Sequence, residues 1–465
     1  MSQLNQLSER VAAQIALLLP AHSRVLIGLS GGVDSVVLLH ILSQLAPRFS
    51  WQFSALHVHH GISQNADVWV EFCTGLCASY LVPLTIEHVD ITPLREQHGI
   101  EASARKLRYA AFAKQLCDVV ALAHHSDDQS ETLLLQLLRG AGVRGASAMP
   151  LFSVRADPSA GSGRTESVMS ILRPLLHCSR QEILDYAAAH QLQWIEDESN
   201  ADNNYPRNFL RHRVLPLLEQ KFPAYRDTLA RSAQHFAEAS GLLDELAQLD
   251  AQSFLPLPLR EKEGRYDVAL DLLHLKSLTQ PRAKNLLRYF LHSLGTPMPQ
   301  AVQLDEMLQQ LRNAARDAVI CISFGGWQVR RYQGRVYALR ALGEFDKHIV
   351  MPWHGEADLY WLALNMRLRF KRTQGTGISL EKLQCAPVTL RVRQGGEALR
   401  PHSNAATRTL KNLLQEHHIP PWQRDRLPLL YCGDDLVCVL GVAIAADYQA
   451  TADEAGISMV VDSKL

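Results

Sequence analysis

Between Val25 and His190 short apolar runs alternate with helical stretches, and this alternation constrains the fold more than any other feature of the chain. Val25 to Leu29 precedes Val33 to Leu45, Phe53 to Val58 precedes Val68 to Tyr80, and Leu84 to Val89 precedes Ala102 to Cys117. The series continues with Val119 to Ala123 before Glu131 to Arg139, and with Ile171 to Leu175 before Arg180 to His190. Parallel strands need long crossovers and are covered on both faces, so runs of this kind predict an α/β domain built on a doubly wound parallel sheet. Ser179, followed three residues later by Glu182, has the spacing of a capping box at the start of the last helix. Ser153 to Ser170, with its Gly, Ser and Pro, breaks the alternation and predicts a surface loop.

At 465 residues the chain has room for roughly three domains, each able to bury a core. We expect a catalytic domain over 1–215 and a mainly helical domain over 216–345, with helices Leu229 to Leu246, Arg282 to Leu294 and Ala301 to Ala315 and a hairpin Phe324 to Leu339. A linker at Ala341 to Pro352 then leads to a small α+β domain over 353–465, with one helix from Thr409 to Glu416. Lys plus Arg equals Asp plus Glu at 47 each, which excludes a globally basic nucleic-acid coat, and 47% apolar content excludes a disordered or collagen-like chain. The balance is not local. Leu364 to Arg426 carries twelve basic and four acidic residues, whereas Leu427 to Leu465 carries one and six. Within the basic part, Arg367, Arg369, Lys371 and Arg372 read either as a strand face turned to water or as an RNA contact.

The eight cysteines form no CxxC pair, which argues for reduced thiols in a cytoplasmic protein rather than a disulfide framework or a zinc ribbon. The amino terminus predicts a polar amphipathic helix through Leu7, Val11, Ile15 and Leu18, not a signal peptide. The longest apolar stretch, Val437 to Ala446, is about half of the ~20 residues that span a bilayer, so no membrane partner is expected. Monomer and homodimer stay equally open.

Two segments carry chemistry. Ser30-Gly31-Gly32-Val33-Asp34-Ser35 sits at the end of the first strand and opens the first helix, where backbone N–H groups and the helix dipole bind phosphate. Glycines admit close backbone approach, Ser30 and Ser35 donate hydroxyls, and the carboxylate of Asp34 makes sense there only with a cation such as Mg²⁺ on the nucleotide. The loop has neither the Gly-Lys-Ser/Thr of a Walker A motif nor GxGxxG. The second segment, His124-His125-Ser126-Asp127-Asp128-Gln129-Ser130-Glu131, follows the fourth strand at the same sheet edge. Asp128 and Glu131, three apart, share a helix face and together suit an ammonium group. Arg207 and Arg211, four apart, suit a phosphate clamp on RNA or nucleotide, or a solvated basic face.

The SGGVDS loop in this setting resembles the PP-loop ATP pyrophosphatases, adenine nucleotide alpha hydrolase-like enzymes that adenylate a carbonyl oxygen and release pyrophosphate. His124-His125-x-Asp127-Asp128-Gln129-x-Glu131-Thr132 with Leu138-Arg139-Gly140-x-Gly142 is similar, more narrowly, to the tRNA(Ile)-lysidine synthetase family. So are Glu101-Ala102-x-Ala104-Arg105-x-x-Arg108-Tyr109, Asp197-Glu198-Ser199-Asn200 and Arg207-Asn208-Phe209-Leu210-Arg211. Near the end, Arg393-Gln394-Gly395-Gly396-Glu397, Thr409-Leu410-Lys411-Asn412-Leu413-Leu414 and Ile419-Pro420-Pro421-Trp422-Gln423-Arg424 extend the likeness.

The resemblance implies ATP-dependent ligation of L-lysine to C2 of the first anticodon cytidine of a CAU-anticodon tRNA(Ile), through an adenylated base. It implies ATP on Ser30 to Ser35 with Mg²⁺ at Asp34, lysine at Asp128 and Glu131, and His124 or Arg105 beside the α-phosphate. Asp128 or His125 is then the base, and Arg139, Arg207, Arg211, Arg393, Lys411 and Arg424 contact tRNA. Ser130, where the family often has a small apolar residue, and the long Ser153 to Ser170 segment depart from the pattern without touching a charged motif residue. A tRNA thiolase would need further cysteine pairs, a small-molecule amidating synthetase would not need the added basic region, and a non-enzymatic RNA binder would have no use for acids beside a phosphate loop.

Overall fold

The computed structural model describes residues 3–156, 168–196, 198, 202–251, 269–315, 318–344 and 346–462. The chain divides into two units, Met1–Glu245 and Leu246–Leu465.

The first unit is organised around the strand Arg24–Gly28 (β1), preceded by the helix Gln3–Ile15 (α1). Chain order continues with Val33–Phe49 (α2), Gln52–His59 (β2), Ala66–Ser79 (α3), Leu84–His88 (β3), Thr92–His98 (α4), Ile100–Ala113 (α5), Val119–Ala121 (β4), Ser126–Leu138 (α6) and Val143–Ala146 (α7). Phe152–Ala156 (β5), Val168–Leu172 (β6), Arg180–Ala189 (α8), Pro206–Phe209 (α9), a π-helical turn Leu210–Val214, Leu215–Lys221 (α10) and Tyr225–Ala251 (α11) follow. The sheet runs β3-β2-β1-β4-β6-β5. Every pairing is parallel except that of β5 with β6.

Side chains of a strand alternate between faces, and here both faces are apolar. Val25 and Ile27 of β1, Ala55, Val119, Ala121 and Leu172 enter one core with α1, α2, α3 and α8. Leu26, Leu56, Val120 and Ile171 enter a second core on the other side, closed by Ala111 and Phe112 of α5. Covering both faces is what a parallel sheet requires, and the expected doubly wound architecture is the observed one. α2 lies deepest: Val36, Val37, Leu38, Leu39 and Ile41 are all 0% exposed.

One expectation changes. The segment read as a loop from Ser153 is in part the strand β5, which pairs antiparallel with β6 as Phe152↔Leu172 through Ala156↔Val168. A hairpin edge strand needs no crossover helix, so the strand–helix alternation does not announce it. Residues 157–167 lie outside the described residues.

In the second unit, Leu270–Asp271 (β7), Leu272–Ser277 (α12), Gln280–Ser293 (α13), Ala301–Asn313 (α14), Cys321–Phe324 (β8), Trp327–Tyr332 (β9) and Arg335–Arg340 (β10) share a core. The expected hairpin is part of an antiparallel sheet of order β7-β10-β9-β8, on which the helices pack. Beyond it come Met351–Trp353 (β11), Asp358–Trp361 (β12), Met366–Gln374 (β13), Ile378–Ser379 (β14), Val388–Arg391 (β15), Ala398–Leu399 (β16) and Arg408–Thr409 (β17). Leu410–Glu416 (α15), Pro421–Arg424 (α16), Leu429–Cys432 (β18), Asp435–Val439 (β19), Ala443–Ile444 (β20) and Ala455–Asp462 (β21) complete it. Antiparallel sheets β11-β15-β18-β19-β20 and β12-β13-β21-β14 enclose a common core around Trp361, Leu368 and Leu390. The expected α15 starts one residue after its cap, Thr409 Oγ1, which accepts from Asn412 N at 3.4 Å.

Leu39→Ala removes a fully buried side chain from α2 and leaves a cavity, so urea unfolding is expected to show a loss of about 2–5 kcal/mol. A loss below about 0.5 kcal/mol would contradict the packing described.

Candidate active site

The chain leaves β1 toward β2 and β3 on one side and returns with β4 on the other, so the sheet reverses direction between β1 and β4. At such a switch point the loops after adjacent strands diverge and leave a crevice at their carboxyl ends. The two loops here are Leu29 to Gly32 and Leu122 to His125, the two segments singled out for their chemistry.

The first loop is wound around one hydroxyl. Ser35 Oγ receives the N–H groups of Ser30 at 3.2 Å and Gly31 at 3.1 Å, and itself donates to Gly32 O at 2.9 Å. Gly31 has φ +87°, and a Cβ there would meet Ile195 Cδ1 at 2.5 Å. Gly32 is the N-cap of α2 with φ −72°, and among the described residues no side chain caps this helix. The first N–H groups of α2 therefore have neither an intrahelical acceptor nor a side-chain one, the condition of an anion site.

At the other helix starts of this edge the first amides find acceptors, Ser126 N of α6 donating to Cys178 O at 2.9 Å. His125, the N-cap of α6, donates its N–H to Asp128 Oδ2 at 3.0 Å. On α8, Ser179 N donates to Glu182 at 2.7 Å and Glu182 N to Ser179 Oγ at 3.2 Å, as the capping-box spacing predicts. Arg180 N donates to Asp127 Oδ2 at 3.0 Å and ties α8 to α6.

Four carboxylates meet here. His125, 1% exposed, has Nε2 at 3.7 Å from Asp34 Oδ1 and 3.5 Å from Asp128 Oδ2, and Nδ1 at 3.6 Å from Asp127 Oδ2. Burial opposes its charge, but Asp128, Asp127 and Asp34 outweigh that and raise its pKa above the ordinary value. His124 is pushed down to about 3, chiefly by burial, and is neutral. Burial raises the pKa of Asp34, against the pull of His125 and Arg180. Burial also opposes charge on Asp128, but His125 and Arg207 hold its carboxyl below the usual range.

Arg207 and Arg211 close the site from α9 and the π-helical turn. Arg207 reaches Glu131 at 2.6 Å and Asp128 at 2.8 Å; Arg211 reaches Glu131 at 2.6 Å and Asp128 at 3.3 Å. The acidic pair and the arginine pair singled out separately in the sequence thus form one network, with Glu131 0% exposed. The side chains that sequence motifs did not single out are Arg180, whose Nη1 stands 3.7 Å from Asp34, and Arg226, 2.5 Å from Asp127 and 2.6 Å from Glu219. No spacing signal reaches from Asp127 to Arg226; only the capping box, by placing Arg180 at the start of α8, hinted at the former. Asp127, Glu131, Arg180, Arg211, Glu219 and Arg226 line a cavity of about 260 Å³.

The remaining candidates are not part of this ion-pair network, although the charge of Arg105 bears on His124. Arg105 is exposed on α5, with Nη2 at 3.3 Å from the Tyr109 hydroxyl. Arg139 is exposed at the end of α6 and Lys411 on α15. Arg393 Nη1 lies 3.8 Å from Asp425, and Arg424 donates to Ile419 O at 2.8 Å and to the Tyr332 hydroxyl at 3.1 Å. Asp197, Ser199 and Asn200 lie outside the described residues.

Gly31→Ala forces an L side chain to positive φ against Ile195, so a stability loss of about 1–3 kcal/mol is expected. Gly32→Ala meets nothing nearer than Ser30 Oγ at 3.7 Å and should stay within about 0.5 kcal/mol of wild type. Urea midpoints that rank the two the other way would contradict this loop. Because the folded pKa of His125 is raised, its ion pairs stabilise fully below its unfolded pKa of about 6.5 and are lost as pH rises through the folded value. His125→Gln should therefore flatten the decline of unfolding free energy between pH 6 and 9; an unchanged slope would show that the imidazole is not charged.

Comparison with known proteins follows the same lines. Residues 3–218 match the model of the PP-loop domain, residues 270–337 that of the TilS substrate binding domain, and residues 388–461 that of the TilS substrate C-terminal domain. The tRNA(Ile)-lysidine synthase of Nitrosomonas europaea is 43% identical over 434 residues, covering 93% of this chain and 91% of the relative. That of Coxiella burnetii is 38% identical, covering 95% and 94%, and that of Serratia proteamaculans 38%, covering 94% and 95%. Identity of this extent across nearly the whole length places the chain in the tRNA(Ile)-lysidine synthase family.

Proposed function

We propose that the chain ligates L-lysine to C2 of the first anticodon cytidine of a CAU-anticodon tRNA(Ile), with ATP converted to AMP and pyrophosphate. The tRNA then reads AUA as isoleucine. The single observation that carries this reading is that an uncapped helix start and a buried carboxylate cluster face one switch point of the sheet, in a chain of this family. We read 1–215 as the catalytic part and 216–345 and 353–465 as tRNA-contacting parts, in a cytoplasmic enzyme.

The α2 start receives the phosphates of ATP through the N–H groups that follow Gly32, with Ser30 and Ser35 shaping the turn. Asp34 Oδ1 is buried without a hydrogen-bond partner among the described residues, which fits a Mg²⁺ ion arriving with the nucleotide. That ion would offset phosphate charge beside the carboxylate. The C2 oxygen of cytosine attacks the α-phosphorus and pyrophosphate leaves. An amide-like oxygen is a poor leaving group and AMP a good one, so the lysine ε-amine can then displace AMP.

Asp128 and Glu131 hold the incoming ammonium, which exchanges for guanidinium contacts of Arg207 or Arg211. The nucleophile must shed a proton, and Asp128 or His125 accepts it, the burial of both and their mutual attraction keeping them beside the amine. His124, neutral, or Arg105, whose charge bears on His124, is assigned to the charge growing on the α-phosphate. Arg139 and Lys411, whose side chains are exposed, and Arg393 and Arg424 are assigned to the RNA. The flipped cytidine requires an anticodon loop drawn out of its stack.

Incubation with [α-³²P]ATP, tRNA transcripts and radiolabelled lysine is expected to put lysine only into the CAU-anticodon isoleucine tRNA. AMP release without lysine, or dependence on sulfide, would replace the reading. Asp34→Ala is expected to slow pyrophosphate release on the order of 100-fold or more while tRNA still binds; near-wild-type turnover would remove the metal role.

A further inference from the structure

An antiparallel hairpin that closes one small core buries one of its faces and turns the other to water. The hairpin of β9 and β10 departs from this. Val329 of β9 and Val336 of β10 face the helices α12, α13 and α14 and are 0% exposed. Arg330, Tyr332 and Tyr337 stand on the opposite face, yet Tyr337 is only 9% exposed. The side chain that lies against it comes from beyond β11: it is the half-buried Trp422 of α16.

Trp422 meets Tyr337 edge to face, with ring centroids 5.4 Å apart and planes at 67°, and Tyr332 at 6.1 Å and 80°. The guanidinium of Arg330 lies over the indole, 5.4 Å from its centroid. Such contacts are directional, so they fix orientation as well as distance. The local sequence holds the indole in place. Pro420 has φ −64°, Pro421 is the first residue of α16, and Arg424 Nε donates back to Ile419 O at 2.8 Å. From there Arg424 Nη2 reaches across to the Tyr332 hydroxyl at 3.1 Å, and Gln333 in the hairpin turn stands 3.1 Å from His418 Nδ1. The connection between the two parts is tied to the same place: Lys347 pairs with Asp425 at 2.8 Å, and Arg426 donates to Gly343 O.

We propose that Trp422 is a positioning residue, a latch that fixes the sheet β7-β10-β9-β8 to the sheets that follow β11, so that the two engage tRNA as one body of constant spacing. This rests on the reading above that both parts contact tRNA. With the latch closed, binding by one part presents the other to the same RNA at a high effective concentration; with it open, only the connecting chain limits their separation and that advantage falls. A tryptophan kept for stacking on an RNA base needs an open ring face, whereas Arg330 lies over this one.

The test uses the full chain as W422A, the conservative W422F, Y337A and W422A/Y337A, each with its urea transition as a check of folding. Tyr337 lies against the indole and is buried, so Y337A opens the latch without removing an exposed side chain. Two quantities are read: the rate of trypsin cleavage after Lys347 without tRNA, and KM for tRNA against kcat in lysine transfer. W422A and Y337A are each expected to raise the cleavage rate and KM roughly 10-fold with kcat within about 2-fold of wild type, while W422F stays near wild type. The double variant should exceed either single one by less than about 2-fold, because both break one contact. Cleavage at the wild-type rate in both alanine variants, or a double-variant effect equal to the product of the single ones, would overturn the proposal. A KM rise confined to W422A would overturn it too and make Trp422 an RNA contact. Where the alanine variants lose a cooperative urea transition, R330Q, which takes only the cation from the indole, should raise cleavage about 2- to 3-fold; an unchanged rate would contradict the latch. A wild-type chain that transfers no lysine to tRNA would remove the functional reading, while the cleavage rates still decide the latch.

Discussion

Four carboxyl groups, Asp34, Asp127, Asp128 and Glu131, are brought to one sheet edge, and the cations at the site are arranged around them. Buried charges are expensive unless paired and hydrogen-bonded on every side. His125 stands among three of them, Arg207 and Arg211 span two, Arg226 takes the outer oxygen of Asp127 and Arg180 faces Asp34. These cations come from β4–α6, α8, α9, the π-helical turn and α11, so the network fastens five parts of the first unit to one another. A π-helical turn is a common mark of a functional position, and here it presents Arg211 to Glu131.

The contrast among helix starts gives the site its polarity. On α6 the first amide, Ser126 N, is taken by Cys178 O and on α8 Glu182 N by Ser179 Oγ, whereas the first amides of α2 have no acceptor among the described residues. On the proposed reading one end of the crevice takes the phosphates and the other, once a guanidinium is exchanged, the ammonium group. A reaction that joins a triphosphate, a base and an amine needs both within a few ångströms, and the reversal of strand order between β1 and β4 supplies that proximity.

Much of this was readable from the chain. The strands and crossover helices follow from apolar periodicity, because the central strands β1 and β4 are buried on both faces and the crossover helices are long enough to show their pattern. Ser30 to Ser35 and His124 to Glu131 stand out because their residue types are unusual at a strand end. β5 did not stand out, since an antiparallel edge strand leaves no crossover behind it. The sheet β7-β10-β9-β8 was only partly visible, because β7 is two residues long and far from its partners in sequence. Asp128 with Glu131 and Arg207 with Arg211 were each visible as pairs, but their union spans some eighty positions, and no local pattern encodes a contact of that range. Arg226 carries no motif, and Arg180 only its place beside the Ser179–Glu182 capping box.

The account rests on the start of α2 being the place where the triphosphate sits. A crystal structure of the full chain with Mg²⁺ and a non-hydrolysable ATP analogue tests this most directly. The account predicts phosphate oxygens within hydrogen-bond distance of the amides after Gly32, with the metal on Asp34 and the adenosine directed away from Glu131. Nucleotide bound elsewhere, or phosphates lying against Arg207 and Arg211 with the α2 amides left to water, would contradict it.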